Sequence, residues 1–170
     1  MIVVVMGVTS VGKTTVGLLL AEALEAHYAE GDSYHPPANV EKMRQGGALD
    51  DADRAPWLEA IAADMRRWQA EGRSAVVTCS ALKRSYRDVL RGAGPGVRFA
   101  WLTGDPAVIR GRMEGRQGHY MPVTLLPSQL ATLESPTDEP DVVAVDVAGT
   151  PGEVAQAVLR ALAVSRDAAS

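Results

Sequence analysis

The most restrictive feature of this sequence is the segment Gly-Val-Thr-Ser-Val-Gly-Lys-Thr at positions 7–14, which matches the pattern G-x-x-x-x-G-K-[ST]. An unbroken apolar run from Ile2 to Met6 precedes it, as in a strand that is covered on both faces of a parallel sheet. The apolar residues after the segment recur at helical spacing: Val16, Leu19, Leu20 and Leu24. The sequence therefore predicts a buried strand, a tight glycine-bounded loop and a helix, in that order.

A loop of this kind binds phosphate groups, and each fixed position has a chemical reason. Gly7 and Gly12 allow backbone turns that a side chain would obstruct, so that successive N–H groups converge on phosphate oxygens at the positive end of the helix. Lys13 adds a charge at the β and γ phosphates, and the Thr14 hydroxyl is a ligand for Mg²⁺. We expect the following residues to bind a nucleoside triphosphate: Gly7, Val8, Thr9, Ser10, Val11, Gly12, Lys13, Thr14 and Thr15.

Strand and helix patterns alternate along the rest of the chain. Further strands are predicted at His27–Glu30, Ala75–Cys79, Val97–Leu102 and Val142–Val147. Helices are predicted at Asn39–Gln45, Asp53–Glu71, Asp105–Glu114 and Leu125–Leu133, and a last one carries Val154, Val158 and Leu162. Because parallel neighbours need crossover connections, this order predicts an α/β fold with a parallel β-sheet flanked by helices.

Length and composition exclude several classes of protein. A chain of 170 residues is near the usual size of one domain, so we expect a single domain over residues 1–170. No apolar stretch approaches the ~18 residues of a membrane span, and one cysteine, Cys79, forms no internal disulfide. With 17 basic and 21 acidic residues, bulk electrostatic binding to nucleic acid is not expected. These features favour a cytoplasmic protein with no nucleic-acid or membrane partner.

Two carboxylates lie at the carboxyl end of the second predicted strand, where the ligand crevice of a parallel sheet is found. We expect Asp32 to be the general base or the group that orients an acceptor hydroxyl, and Glu30 to lie near the metal. A kinase for a small acceptor and a nucleotide-dependent switch remain the two candidate classes. The sequence lacks the N-K-x-D motif with which switch GTPases read their base, and this absence favours the kinase.

The motifs taken together resemble the gluconate kinase family over most of the chain, from Val4 to about Val147. Besides the phosphate loop, the matching blocks are Gly31-Asp32-x-x-His35-Pro36, Asp53-Arg54-x-Pro56-Trp57-Leu58, Cys79-Ser80-Ala81-Leu82-Lys83, Arg116-x-Gly118-His119-Tyr120-Met121 and Ser128-Gln129-x-x-Thr132-Leu133-Glu134. The resemblance implies a fold like that of shikimate and nucleoside monophosphate kinases. It also implies ATP-dependent phosphorylation of D-gluconate at the 6-hydroxyl, with Mg²⁺. A related kinase of shikimate or another small hydroxy acid remains the alternative.

The resemblance also assigns residues to the acceptor and to a lid. Lys83 and Arg87 are one helical turn apart after the third strand, so both are expected to face the crevice and meet the acceptor carboxylate and hydroxyls. His35, Arg54 and His119 are further candidate acceptor contacts. In a lid-like segment around 112–124, Arg112 or Arg116 would stabilise the transferring phosphoryl group. Trp57 and Cys79 are expected to be ordinary core residues.

Two points stay open at the level of sequence. The usual Asp-Gly-Asp of the family is replaced here by Glu30-Gly31-Asp32, so Glu30 either helps to hold Mg²⁺ or only shapes the turn. The family also suggests a homodimer, although the sequence shows no exposed apolar face at a regular period.

Overall fold

A computed structural model describes residues 1–114 and 126–168, and their core is a five-stranded parallel sheet. The strands are β1 (Ile2–Met6), β2 (His27–Glu30), β3 (Ala75–Thr78), β4 (Val97–Thr103) and β5 (Val142–Asp146). Their order across the sheet is β2-β3-β1-β4-β5, and every neighbouring pair is parallel. The sequence prediction of a parallel α/β sheet is confirmed, and the strand limits agree to within one residue.

Seven helices connect and cover these strands in the described part of the chain. They are α1 (Lys13–Leu24), α2 (Pro37–Arg44), α3 (Asp51–Ala70), α4 (Arg84–Arg91), α5 (Pro106–Glu114), α6 (Leu126–Thr132) and α7 (Pro151–Ala168). A short 3₁₀ helix, Gly31–Tyr34, follows β2. Among these described helices none is long and apolar enough to cross a membrane.

The central strand β1 explains why its sequence is apolar at every position. Val3 and Val5 belong to a core with Leu20 of α1 and Val158 of α7. Ile2, Val4 and Met6 belong to a second core on the other face of the sheet, with Ile61 and Met65 of α3. Because both faces are covered, no position of β1 can carry a polar side chain without burying it.

Helix α3 begins two residues earlier than the sequence pattern predicts. Asp50 and Asp53 form a reciprocal capping box, in which each side chain accepts a hydrogen bond from the other residue's backbone N–H. This pairing fixes the first turn at Asp51, so Pro56 lies inside the helix. The capping box also holds the segment between α2 and α3, which carries several residues of the site.

The carboxyl ends of β2 and β3 approach each other so closely at Gly31 that no side chain fits there. A Cβ atom on Gly31 would lie 1.8 Å from the carbonyl oxygen of Thr78. The Gly31 N–H donates a hydrogen bond to the Thr78 hydroxyl at 3.1 Å, which also holds the turn in this position. The turn that carries Asp32 is therefore pressed directly against β3.

We predict that Gly31→Ala lowers the free energy of unfolding by about 1–3 kcal/mol, since the added methyl group must displace backbone. Gly152→Ala is the matched control, because a Cβ there meets nothing within 4 Å and the residue lies in α7. Chemical denaturation of both variants checks this. Equal stability of the two variants would contradict the close contact.

Candidate active site

The phosphate loop joins β1 to α1 through two glycines with positive φ angles. Gly7 and Gly12 have φ angles of 144° and 100°, and a Cβ on Gly7 would lie 2.6 Å from the carbonyl oxygen of Leu102. Gly12 caps α1 without a side-chain hydrogen bond, so the first turn of the helix presents its N–H groups to a ligand. Val8 and Val11 are buried in the core, which restricts their role at the loop to their backbone atoms.

Lys13 lies over the loop that precedes it. Its Nζ atom donates to the carbonyl oxygens of Gly7 and Val8, both at 2.9 Å. The ammonium group is thereby held at the mouth of the loop, within the cavity wall. This is the position from which a lysine reaches the outer phosphates of a nucleotide.

Glu30, at the end of β2, is held by three hydroxyl groups. Its carboxylate accepts hydrogen bonds from Thr14 at 3.0 Å, from Tyr28 at 2.5 Å and from Thr78 at 2.9 Å. Burial, followed by the hydrogen bond to Glu30, raises the pKa of Tyr28 to about 12, so this phenol keeps its proton. Glu30, which stands where the family usually has an Asp, reaches the Thr14 hydroxyl directly.

The oxygen atoms of Thr14 and Glu30 are the kind of donors that Mg²⁺ prefers. They lie 3.0 Å apart on the same wall of the cavity, beside Lys13. Within the ranges 1–114 and 126–168, no group of three or more His, Cys, Asp and Glu side chains forms a metal cage. The donor set fits an ion that is shared with nucleotide phosphates and water.

One cavity connects the phosphate loop with the acceptor side. Its volume is about 550 Å³, within the range of small-molecule sites. The predicted site residues that line it are Thr9, Ser10, Gly12, Lys13, Thr14, Thr15, Glu30, Asp32, His35, Arg54 and Arg112. The structure thus brings together residues from the phosphate loop, the turn after β2, helix α3 and helix α5.

Two aromatic rings form part of the acceptor wall. The His35 ring stacks on Trp57 with centroids 4.1 Å apart and planes inclined by 16°. Trp57 is buried as expected for a core residue, and its Nε1 atom donates to the Gly31 carbonyl oxygen at 2.7 Å. Trp57 also lines the cavity, so this tryptophan serves both the core and the site.

Arg54 enters the cavity from the first turns of α3. Its Nη1 atom donates to the Leu49 carbonyl oxygen at 2.7 Å and to the Tyr86 hydroxyl at 3.1 Å. The Tyr86 hydroxyl in turn donates to Asp51, which also accepts from Lys83 at 2.9 Å. Lys83 lies at this cluster but is absent from the described cavity wall, so Arg54 is the better placed cation.

Arg87 does not face the crevice, and the prediction that it meets the acceptor is wrong. Its side chain has 0% exposure, and its guanidinium binds both carboxylate oxygens of Glu139 at 2.9 and 2.8 Å. It also donates to the carbonyl oxygens of Ala81 at 2.7 Å and Leu82 at 3.2 Å. Arg87 therefore stabilises the loop between β3 and α4 by binding its carbonyl oxygens.

The failed prediction has a geometric reason. Lys83 precedes α4 as its N-cap, with extended backbone angles, so it does not share a helical face with Arg87. Glu139 supplies the buried counter-charge from a position 52 residues away, which local spacing cannot reveal. Burial alone would raise the pKa of Glu139, but hydrogen bonds from Arg87 and Arg91 hold it below its ordinary value.

The predicted lid is described only at its beginning. Arg112, in the last turn of α5, lines the cavity and donates to the Val147 carbonyl oxygen at 2.5 Å. Arg116 and His119 lie outside the described residues, as does most of the segment 112–124.

Comparison with known proteins identifies the family of this site. No protein-family model matches the chain. A gluconokinase of Gluconobacter oxydans is 51% identical over 158 residues, which cover 92% of this chain and 88% of the relative. The thermosensitive gluconokinase of Escherichia coli is 44% identical over 145 residues, which cover 85% of this chain and 78% of the relative. The chain belongs to the gluconokinase family.

Solved structures agree with this assignment. The crystal structure of a gluconokinase from Sinorhizobium meliloti has a TM-score of 0.88 at 46% identity and covers 97% of this chain and 93% of its own. A shikimate kinase from Aquifex aeolicus has a TM-score of 0.62 at 16% identity, with 96% of both chains covered, and shows the fold alone. The prediction of a gluconokinase with the fold of P-loop kinases is confirmed, in preference to the shikimate kinase alternative.

Sequence reasoning did not assign roles to several residues of this gluconokinase site. Gln129 of α6 accepts a hydrogen bond from the Thr9 N–H at 2.6 Å, which ties α6 to the phosphate loop. Met43, Leu49 and Thr132 also line the cavity. Gln129 and Thr132 belong to a block that carries the family resemblance, so that block was the available signal for a role in the site.

We predict that Arg87→Met lowers the free energy of unfolding by about 3 kcal/mol or more, because Glu139 and three carbonyl oxygens lose a buried partner. Arg84→Met, an exposed change in the same helix, is the control and should be near neutral. Denaturant unfolding measures both. A raised KM for the acceptor at unchanged stability would restore Arg87 to the acceptor site.

Proposed function

We propose that the chain transfers the γ-phosphoryl group of ATP to the 6-hydroxyl of D-gluconate, giving ADP and 6-phospho-D-gluconate. The observation that carries this proposal is the single cavity that joins the phosphate loop to a wall with Asp32, His35 and Arg54. A carboxylate and a cation on that wall suit an acceptor with one hydroxyl to activate and one carboxylate to bind. The relatives named as gluconokinases support the same acceptor.

The phosphate loop and its neighbours hold the nucleotide. Outward N–H groups at the start of α1 bind phosphate oxygens, and Lys13 adds a positive charge beside them. Thr14 and Glu30 would hold Mg²⁺, directly or through water. When bound, the ion neutralises charge on the phosphates.

Asp32 acts on the acceptor hydroxyl. In the reaction, the bond from O6 of gluconate to the γ-phosphorus forms while the bond from that phosphorus to the β–γ bridging oxygen breaks. The proton of the hydroxyl passes to the Asp32 carboxylate as the new bond forms, because an alcohol loses its proton late in a loose transition state. The short 3₁₀ helix after β2 places Asp32 in the cavity wall beside Glu30.

Cations bind the other end of the acceptor and the transferring group. Arg54 would meet the gluconate carboxylate, with Lys83 at the edge of the same cluster. Arg112 or Arg116 would stabilise the transferring phosphoryl group, and His119 would contact the acceptor. The lid around 112–124, the homodimer, the single domain over 1–170 and the cytoplasmic location stay predictions.

A coupled assay of ADP release tests the proposed acceptor. The purified protein is offered D-gluconate, shikimate, glucose and nucleoside monophosphates in turn, each with ATP and Mg²⁺. Turnover with gluconate well above the others is expected. Preferred turnover of shikimate would replace the acceptor, and nucleotide hydrolysis that no acceptor stimulates would contradict the phosphotransferase.

We predict that Asp32→Asn lowers kcat by about a hundredfold or more, the scale of a positioned base, while ATP binding is retained. The change keeps the size of the side chain and removes its charge. Steady-state kinetics and an ATP titration of the same variant measure the two effects. The exposed Asp138→Asn is the control, and loss of ATP affinity in Asp32→Asn would instead place Asp32 at the metal.

We predict that Arg54→Gln raises the KM for gluconate by about 10- to 100-fold, with the KM for ATP changed far less, because a charge-assisted hydrogen bond is lost. Arg44→Gln, an exposed change in α2, is the control. Thermal unfolding is measured alongside, since Arg54 also binds the Leu49 carbonyl oxygen. An equal rise in both KM values would contradict acceptor binding by Arg54.

A further inference from the structure

The His35 ring is fixed in the acceptor wall by two contacts. It stacks on Trp57, and its Nδ1 atom lies 3.3 Å from the Nδ2 atom of Asn39. Asn39 is 5% exposed and lies on α2, away from the cavity wall that includes His35. The Nδ1 atom therefore faces α2, and Nε2 is the ring nitrogen left for a ligand in the cavity that His35 lines.

The orientation of the Asn39 amide is determined by a second contact. Its Nδ2 atom lies 2.8 Å from the backbone carbonyl oxygen of Asp53. A carbonyl oxygen only accepts hydrogen bonds, so the amide nitrogen and not the amide oxygen must face it. The Asp53 backbone is itself held by the capping box with Asp50 and by the ion pair of its carboxylate with Lys42 at 2.7 Å.

The same amide nitrogen then determines the proton positions on His35. An amide NH₂ group has two hydrogens to donate and accepts none, and one of them is used by the Asp53 carbonyl oxygen. The other hydrogen points to His35 Nδ1, which must accept it with a lone pair. A histidine with a lone pair on Nδ1 is neutral and carries its proton on Nε2.

The charges around the ring support the neutral form. Burial, the largest effect, lowers the pKa of His35. Asp32, in the 3₁₀ helix, acts in the opposite direction, and Arg54, in α3, lowers the pKa further. The net direction is below the ordinary value, so the ring is uncharged near neutral pH.

From these contacts we propose that His35 is a neutral hydrogen-bond donor, whose Nε2–H binds an oxygen atom of the polyhydroxy acid acceptor, and that Asn39 is the positioning residue that fixes this tautomer. The proposal rests on the proposed function for the identity of the acceptor. It has a consequence for the chemistry, because Nε2 then has no lone pair toward the cavity. His35 cannot take the proton of the acceptor hydroxyl, and this task is left to Asp32.

Nitrogen NMR of a sample with isotope-labelled histidine tests the tautomer directly in the free protein. The chain has three histidines, so His35→Gln assigns the signals by removing one set. We expect His35 to be protonated at Nε2 and bare at Nδ1, and to remain so over about pH 7 to 8. A proton on Nδ1, or a ring that titrates near its ordinary value, would overturn the proposal.

A pair of variants tests the donor in catalysis. The amide nitrogen of His35→Gln reaches about as far as Nε2, whereas that of His35→Asn is shorter and reaches the Nδ1 position. We expect the KM for gluconate to be about three- to tenfold higher in His35→Asn than in His35→Gln, the scale of one neutral hydrogen bond, at similar KM for ATP. Equal KM values for gluconate in the two variants would refute the donor role.

Asn39→Asp tests the positioning residue. A carboxylate only accepts hydrogen bonds, so it should move the His35 proton to Nδ1 and raise the KM for gluconate but not that for ATP. An unchanged tautomer would show that Asn39 does not fix the ring, and the wild-type spectrum decides the tautomer even if this variant is unstable. If gluconate is not phosphorylated at all, the proposed function fails, whereas the tautomer is measured without any substrate.

Discussion

The close approach of backbone segments at the carboxyl edge of the sheet is the constraint on which the rest of the site depends. Gly7 packs against the Leu102 carbonyl oxygen and donates to the Ser80 carbonyl oxygen at 3.2 Å, while Gly31 packs against the Thr78 carbonyl oxygen. These contacts bring the loops after β1, β2 and β3 together at the point where the strand order reverses. Lys13, Glu30 and Asp32 therefore line one cavity at this edge.

A buried network of charged side chains stabilises the loop that follows β3 at this edge of the sheet. Arg87, Arg91 and Glu139 form a network between α4 and the segment before β5, and Arg87 also satisfies the carbonyl oxygens of Ala81 and Leu82. Removing one partner leaves an uncompensated charge in the interior, which is strongly destabilising. The network therefore fixes the loop that carries Ser80 to Lys83, so that Arg87 contributes to the site through that loop.

Sequence patterns predicted the elements and site residues that depend on neighbouring residues in the chain. They missed the roles that depend on a partner far away in the sequence. The strand β1, the phosphate loop and α1 follow from contiguous residues, and so does the position of Asp32 after β2. The role of Arg87 depends on Glu139, that of Gln129 on Thr9, and that of Asn39 on the Asp53 carbonyl oxygen. Each partner lies more than ten residues away, in contact only after folding, so helical spacing led to the wrong face for Arg87.

The central claim is that one cavity passes a phosphoryl group from a nucleotide at the phosphate loop to a hydroxyl beside Asp32. The most direct test is NMR of the product formed from ATP and gluconate that is labelled with carbon-13 at every position, with carbon 6 as the expected site. The account predicts phosphorus–carbon coupling at that carbon, with one ADP released for each phosphoester formed. Coupling at a different carbon, or release of inorganic phosphate with no phosphorylated gluconate, would contradict it.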